Sequence, residues 1–222
     1  MLTQARAAAW LYLILSFLTS AATAQDGRFD VSINGAGVFT KGSTANGIEQ
    51  SATEGGEIFG TLRIKFNKVH ALAFNYGRAK DSQIYQTGSD FHVLTQISEF
   101  SGAYVLSPFE KGGFAPFFLG GIGALVFNPQ STWAFFPDVN GLPNRVQTNV
   151  GARRQTEVGI LYGLGLDYTL PRVPRFALRL QYRGLIYRVP DFDVNPARSS
   201  VSFFTGVRSH MAEPSVGLVF RF

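Results

Sequence analysis

The chain has 222 residues, 45% hydrophobic and only 16% charged, which suits one domain with ample apolar surface and excludes a disordered chain. Its formal charge is +5, and no basic run is interleaved with aromatics, so nucleic-acid binding is not expected. Cysteine is absent, which excludes disulfides, thiol chemistry and a lipid-modified cysteine anchor.

Residues 1–24 read as a cleavable signal peptide. Arg6 lies in the n-region, WLYLILSFL (10–18) forms the apolar h-region, and AATA (21–24) supplies the small-residue cleavage site. The apolar run is too short to cross a bilayer as a helix. Removing it leaves 19 Lys and Arg against 15 Asp and Glu, an excess of +4 for a mature chain over 25–222.

Twenty-one Phe, eight Tyr and twenty-four Gly favour strands joined by flexible turns, and after residue 25 no stretch is apolar enough for a membrane helix. In chain order, strands are expected near 28–39, 57–66, 70–78, 93–106, 114–127, 155–168, 176–187 and 211–222. Within 57–66, Ile58, Leu62, Ile64 and Phe66 oppose Glu57, Thr61, Arg63 and Lys65. Within 158–168, Val158, Ile160, Tyr162, Leu164, Leu166 and Tyr168 oppose Gly159, Leu161, Gly163, Gly165 and Asp167. Within 176–183, Phe176, Leu178, Leu180 and Tyr182 oppose Ala177, Arg179, Gln181 and Arg183. The period is two throughout, the signature of a strand with two unlike faces.

Connector lengths alternate. Short ones fall near 67–69, 107–113 and 169–175, and long ones near 40–56, 79–92, 128–154 and 188–210. Eight up-and-down strands put all short connectors at one end, an asymmetry of transmembrane barrels, and roughly 9–11 tilted residues suffice to cross a bilayer. The expected fold is all-β, an eight-stranded antiparallel up-and-down transmembrane barrel. Phe29, Phe66, Tyr104, Phe114, Tyr168, Phe176 and Phe222 then share one level, as an aromatic girdle beside the short turns. A soluble lipocalin-type barrel is the topological rival, with the apolar face turned inward.

FFLGGIGA (117–124), LYGLGLD (161–167), LQYRGL (180–185) and the terminal VFRF (219–222), with the AATA site, resemble the OmpA/OmpX-type eight-stranded outer-membrane proteins. The resemblance spans the mature chain. It implies a location in the bacterial outer membrane, lipid and lipopolysaccharide as surroundings, and Phe220 and Phe222 as part of a signal read by the barrel-assembly machinery. No peptidoglycan-binding domain follows the barrel pattern, so cell-wall tethering is not expected.

The inward faces carry Asp30, Glu57, Glu99, Glu157, Asp167 and Glu213 opposite Arg63, Lys65, Arg179, Arg183 and Arg221. Eight strands leave an interior only wide enough for side chains, so these groups are expected to pair in one nearly neutral network. A charge-lined ion or water conduit is the alternative reading of the same residues.

Recognition is expected in the long loops. Trp133, Phe135 and Phe136 form an aromatic cluster near Pro129 and Pro137, and Arg145, Arg153 and Arg154 suit acidic groups of an extracellular ligand or of lipopolysaccharide. Phe192, Phe203 and Phe204 with Arg188, Arg198 and Arg208 repeat that mixture. A lipid A-modifying enzyme is the least favoured alternative. Of the three histidines, His210 follows Ser209, but positions 210 and 213 fall on opposite faces of a strand, so no His–Glu pair forms there. His70 adjoins a short turn, His92 starts a strand, and Asp81-Ser82 is expected in an outer loop. No catalytic residue, metal site or cofactor is expected.

Overall fold

A computed structural model describes residues 28–136 and 144–222. The expected signal peptide and Pro137 lie outside the described residues. The described residues form eleven strands: β1 (Phe29–Thr40), β2 (Ser43–Ala45), β3 (Ile48–Ala52), β4 (Gly55–Lys65), β5 (His70–Gln86), β6 (Asp90–Leu106), β7 (Phe114–Phe136), β8 (Asn144–Thr148), β9 (Gln155–Thr169), β10 (Phe176–Arg188) and β11 (Arg208–Arg221).

Eight of these close a barrel. β1, β4, β5, β6, β7, β9, β10 and β11 each pair antiparallel with the next, and β11 pairs back with β1, from Asp30 opposite Arg221 to Thr40 opposite Met211. The seam ends in reciprocal bonds: the Phe29 N–H donates to the Phe222 carbonyl at 3.2 Å, and the Phe222 N–H to the Phe29 carbonyl at 3.0 Å. Closure leaves the ring no edge whose backbone groups lipid would strand. The remaining strands decorate the outer end: β2 and β3 form a hairpin along β5, and β8 extends β7.

The faces decide which solvent the barrel was built for. Ile58, Ile122 and Val158 on the outside are 68%, 67% and 69% exposed, while Arg179 and Arg183 inside are 2% and 0% exposed. A lipocalin-type barrel requires the reverse, so that rival is overturned. Beside the short turns, Phe29 stacks on Phe222 at 6.2 Å between ring centroids, Phe114 meets Tyr168 at 4.6 Å, and Phe176 meets Phe220 at 5.2 Å. Phe66 and Tyr104 are exposed at the same end.

Three of the four expected long connectors contain strand: β2 and β3 lie within 40–56, and in the other two the barrel strands themselves extend. Residues 79–92 do not form a long connector: β5 and β6 continue their pairing out to Gln86 and Asp90, and Thr87–Ser89 turn through Gly88 at φ 95°. That left-handed φ suits glycine. The alternation continues, with Ala79, Asp81, Gln83 and Tyr85 buried, but both faces carry polar residues, so the contrast that marks lipid-embedded strands disappears. β7 likewise continues past 127 and carries a bulge. Thr95 faces Pro129 and Leu94 faces Ser131, which leaves Gln130 unpaired and reverses the side-chain parity. Phe127, before the bulge, points inward with Leu125, whereas beyond it Ala134 is buried and Trp133 and Phe135 lie on the outer face.

Candidate functional site

The outer end of the lumen is stoppered by apolar side chains. Tyr85 stacks on Phe203 at 4.2 Å, Phe127 meets Tyr187 at 5.6 Å, and Phe192 stands edge-on to Tyr85 at 6.3 Å; all five rings are fully buried. Phe192 and Phe203 come from the 189–207 loop, which folds back over the opening instead of projecting outward. Two anchors hold it: the Tyr85 hydroxyl donates to the Pro190 carbonyl at 2.7 Å, and Gln155 Oε1 accepts the N–H groups of Asp191 and Phe192 at 2.9 and 2.7 Å. The expected exposed aromatic set of this loop thus reduces to Phe204, whose ring receives Arg188 at 5.3 Å.

Below the stopper lies an acid-rich cluster. The Arg183 guanidinium on β10 donates through Nη2 to Glu99 at 2.8 Å, Glu57 at 3.2 Å and Glu213 at 2.5 Å, and it covers the Phe59 ring at 3.8 Å. A side chain at Gly77 on β5 would run into the Glu57 carboxylate, so glycine there leaves the cluster its room. Glu99 continues into a neutral ladder: Ser101 donates to it at 2.6 Å, Asn75 donates to Ser101 at 2.9 Å, and Thr61 donates to Asn75 at 2.8 Å.

A second cluster forms nearer the short turns. Arg179 grips Asp167 with Nε at 2.7 Å and Nη2 at 2.9 Å, and Arg63 donates to the same carboxylate at 3.1 Å. Asp30 lies 3.2 Å from Lys65 and 3.6 Å from Arg179. The Phe117 ring lies beneath both guanidinium groups, at 4.5 Å from Arg63 and 5.3 Å from Arg179.

The single near-neutral network expected from the sequence is therefore two networks of opposite excess. Three carboxylates share one guanidinium in the first, and three cations share two carboxylates in the second. Their excesses, −2 and +1, offset each other to −1 only across the neutral ladder between them. Glu157 joins neither. It is buried near the outer end, and its carboxylate accepts from Gln155 at 2.7 Å. Arg221 lies at the short-turn mouth, bonded to Thr169 at 2.7 Å and 4.0 Å from the exposed Glu110. The expectation missed Asp81, which faces inward from β5 and accepts from Gln83 at 2.6 Å.

The histidines sit apart from these acids. His210 bonds Tyr162 at 2.7 Å on the outer surface while Glu213 points inward, His70 bonds Tyr104 beside the girdle, and His92 packs on Phe135 at 4.3 Å. Among the described residues no serine, histidine and carboxylate converge.

Of the loop candidates, the structure brings together Trp133, Phe135 and Arg145. Phe135 faces Arg145 across the β7–β8 pairing, and the Arg145 guanidinium lies 3.8 Å from the Trp133 ring and 6.0 Å from Phe135. Phe136 is exposed on the other face of the same hairpin. Arg153 and Arg154 are exposed just before β9, and the Arg153 N–H donates to the Phe192 carbonyl at 2.9 Å.

A closed, apolar-coated eight-stranded barrel with a charged interior is the architecture of a bacterial outer-membrane protein. The model of the outer membrane protein beta-barrel domain family matches residues 10–208, and the chain belongs to that family. Among solved structures it is similar to Neisserial surface protein A, at 18% identity, with 89% of this chain and 98% of that one covered and a TM-score of 0.50. It is also similar to OprG of Pseudomonas aeruginosa, at 12% identity, 87% and 95% coverage and a TM-score of 0.49. A third is Ail of Yersinia pestis, crystallised with a heparin analogue, at 14% identity, 88% and 99% coverage and a TM-score of 0.43. A search of curated protein sequences finds no match.

Proposed function

We propose that this protein is a non-conducting, non-enzymatic outer-membrane scaffold that displays a recognition surface on its β7–β8 hairpin. The observation that carries this reading is the contrast at the outer end. The opening is filled by five buried rings, while Trp133, Phe135 and Arg145 are stacked outside it on a paired hairpin. A conduit needs a wetted path, and the apolar stopper and interlocked clusters oppose one. The separation of the histidines from the lumen acids speaks against catalysis in the barrel.

Rigid aromatics beside a guanidinium suit a ligand with an apolar face and acidic groups, such as the phosphates and sugars of lipopolysaccharide or an acidic surface partner. The barrel-assembly machinery is the partner proposed for the strand that ends in Phe220 and Phe222. The charges around Arg183, with Glu57, Glu99 and Glu213, serve as structural filling. Binding of purified lipopolysaccharide to the protein in zwitterionic nanodiscs tests the display reading: Trp133→Ala and Arg145→Gln weaken it, whereas equal affinity of wild type and variants rejects the hairpin as the recognition face. Current recordings in planar bilayers test the rest, and steady unit conductance from the wild type contradicts a closed lumen.

A further inference from the structure

The short-turn end of the barrel, periplasmic in this family, contains a cavity of about 950 Å³. It lies between the β4–β5 turn, the β6–β7 turn and the ends of β9 and β11. Five cations line it, Arg28, Arg63, Lys65, Lys68 and Arg221, against two carboxylates, Asp167 and Glu110, an excess of three positive charges.

The carboxylates cannot serve this excess. Asp167 is already gripped by Arg179 and Arg63, and Asp30 behind it by Lys65 and Arg179. Glu110 lies 4.0 Å from Arg221, at the edge of ion-pair range, and its side chain is 60% exposed. Two buried donors make no hydrogen bond: the Nε–H of Arg63, which approaches Asp30 Oδ1 only to 3.9 Å, and the Nε–H of Arg221. The Asp30 oxygens also make no hydrogen bond, but they face Arg63, Lys65 and Arg179, so the uncompensated positive charge lies toward the mouth at Arg221, Lys68 and Arg28, where the site is short of negative charge. The acid-rich cluster around Arg183 offers no relief, since the neutral ladder through Asn75 and Ser101 lies between.

We propose that this vestibule binds a phosphate-bearing anion from the periplasmic side, held by Arg221 and Arg63 with Lys65, Lys68 and Arg28 around it. Guanidinium groups pair phosphate oxygens in a fork, and a lysine ammonium adds a point charge. The threefold surplus suits a phosphate ester or diphosphate better than a single carboxylate, which would leave two cations uncompensated. The volume is that of a small-molecule pocket, roughly 300–1,000 Å³. The same chemistry is offered by a soluble phosphate compound and by an anionic lipid headgroup of the inner leaflet.

The test is isothermal titration of inorganic pyrophosphate into the folded barrel in zwitterionic micelles, with retention of the heat-modifiable gel shift as the folding control. Saturable binding is expected. Arg221→Gln weakens it roughly tenfold, the loss of one charge-assisted fork. Arg28→Gln and Lys68→Gln, on exposed positions where folding is not at stake, together weaken it by a similar factor. Lys41→Gln, on an exposed position at the opposite end, leaves it unchanged. Absence of saturable binding, or binding indifferent to both Arg221→Gln and the Arg28→Gln/Lys68→Gln pair, overturns the proposal. Repeating the titration in phosphatidylglycerol vesicles identifies the source: affinity lowered relative to phosphatidylcholine vesicles means that the headgroup occupies the vestibule, and unchanged affinity means that a soluble phosphate does. The outer-surface reading is untouched by either result.

Discussion

Replacing Arg183 with methionine tests the lumen chemistry most severely. The change keeps the length of the side chain and its packing on Phe59, but removes the one cation that pairs with Glu57, Glu99 and Glu213 among the described residues. Carboxylate oxygens of these three residues lie within 4.8 Å of one another. At an effective dielectric of about 20, each such pair repels by roughly 3.5 kcal/mol, so the three ionised acids carry about 10 kcal/mol once the guanidinium is gone. The cluster sheds most of that by taking up protons, and the observed loss falls to about 3–5 kcal/mol, the usual cost of breaking a buried pair from one side. Glu57→Gln acts oppositely: it removes one acid from a set with too many, and costs under about 1 kcal/mol. Urea unfolding of the refolded barrel in zwitterionic micelles, followed by Trp133 fluorescence, reads both. The reasoning is refuted if Arg183→Met unfolds within about 1 kcal/mol of wild type, or if Glu57→Gln is as damaging as Arg183→Met.

Other consequences follow from single contacts. Phe203→Ala removes the ring stacked on Tyr85, costs about 3–5 kcal/mol and speeds proteolysis of the 189–207 loop, measured by limited digestion of the folded protein. Phe222→Ala removes the stack on Phe29 at the closing seam and slows insertion into lipid vesicles, read as delayed appearance of the folded gel band. Trp133→Ala frees Arg145 and costs about 1 kcal/mol of stability, because the guanidinium is exposed and the ring only half-buried, so its main effect appears in ligand binding and not in unfolding.

Where lipid touches the chain, the sequence was easy to read, because one face must be apolar and the other is not. Val158 to Tyr168 and Phe176 to Arg183 alternate without a slip, and their faces lie as the alternation implied. Beyond the hydrocarbon that contrast vanishes. Lys80, Asp81, Ser82 and Gln83 are polar on both faces, so the outer halves of β5 and β6 resembled a loop, and Asp81 went unrecognised as a lumen residue. Pro129 was the one available signal for the bulge, since proline inside a strand points to irregular pairing. Phe192 and Phe203 had no periodic neighbours to show that they fold inward. The split of the charges into two clusters depends on which residues share a level, and register between distant strands is not written in any one segment. Glu57, Glu99 and Glu213 meet Arg183 only once the sheet closes.

Lipid contacts the apolar face of each barrel strand, and the charges lie within. The chain has no cysteine, so single cysteines carry spin labels without background. Labels at Ile122 and Leu180 on the outside, and at Asn75 and Gln181 on the lumen side, are compared in lipid bilayers by collision with oxygen and with a water-soluble nickel chelate. Oxygen contact is expected to be high and nickel contact low at Ile122 and Leu180, with low oxygen contact at Asn75 and Gln181. High oxygen contact at Asn75 and Gln181, with Ile122 and Leu180 shielded from it, would contradict the account.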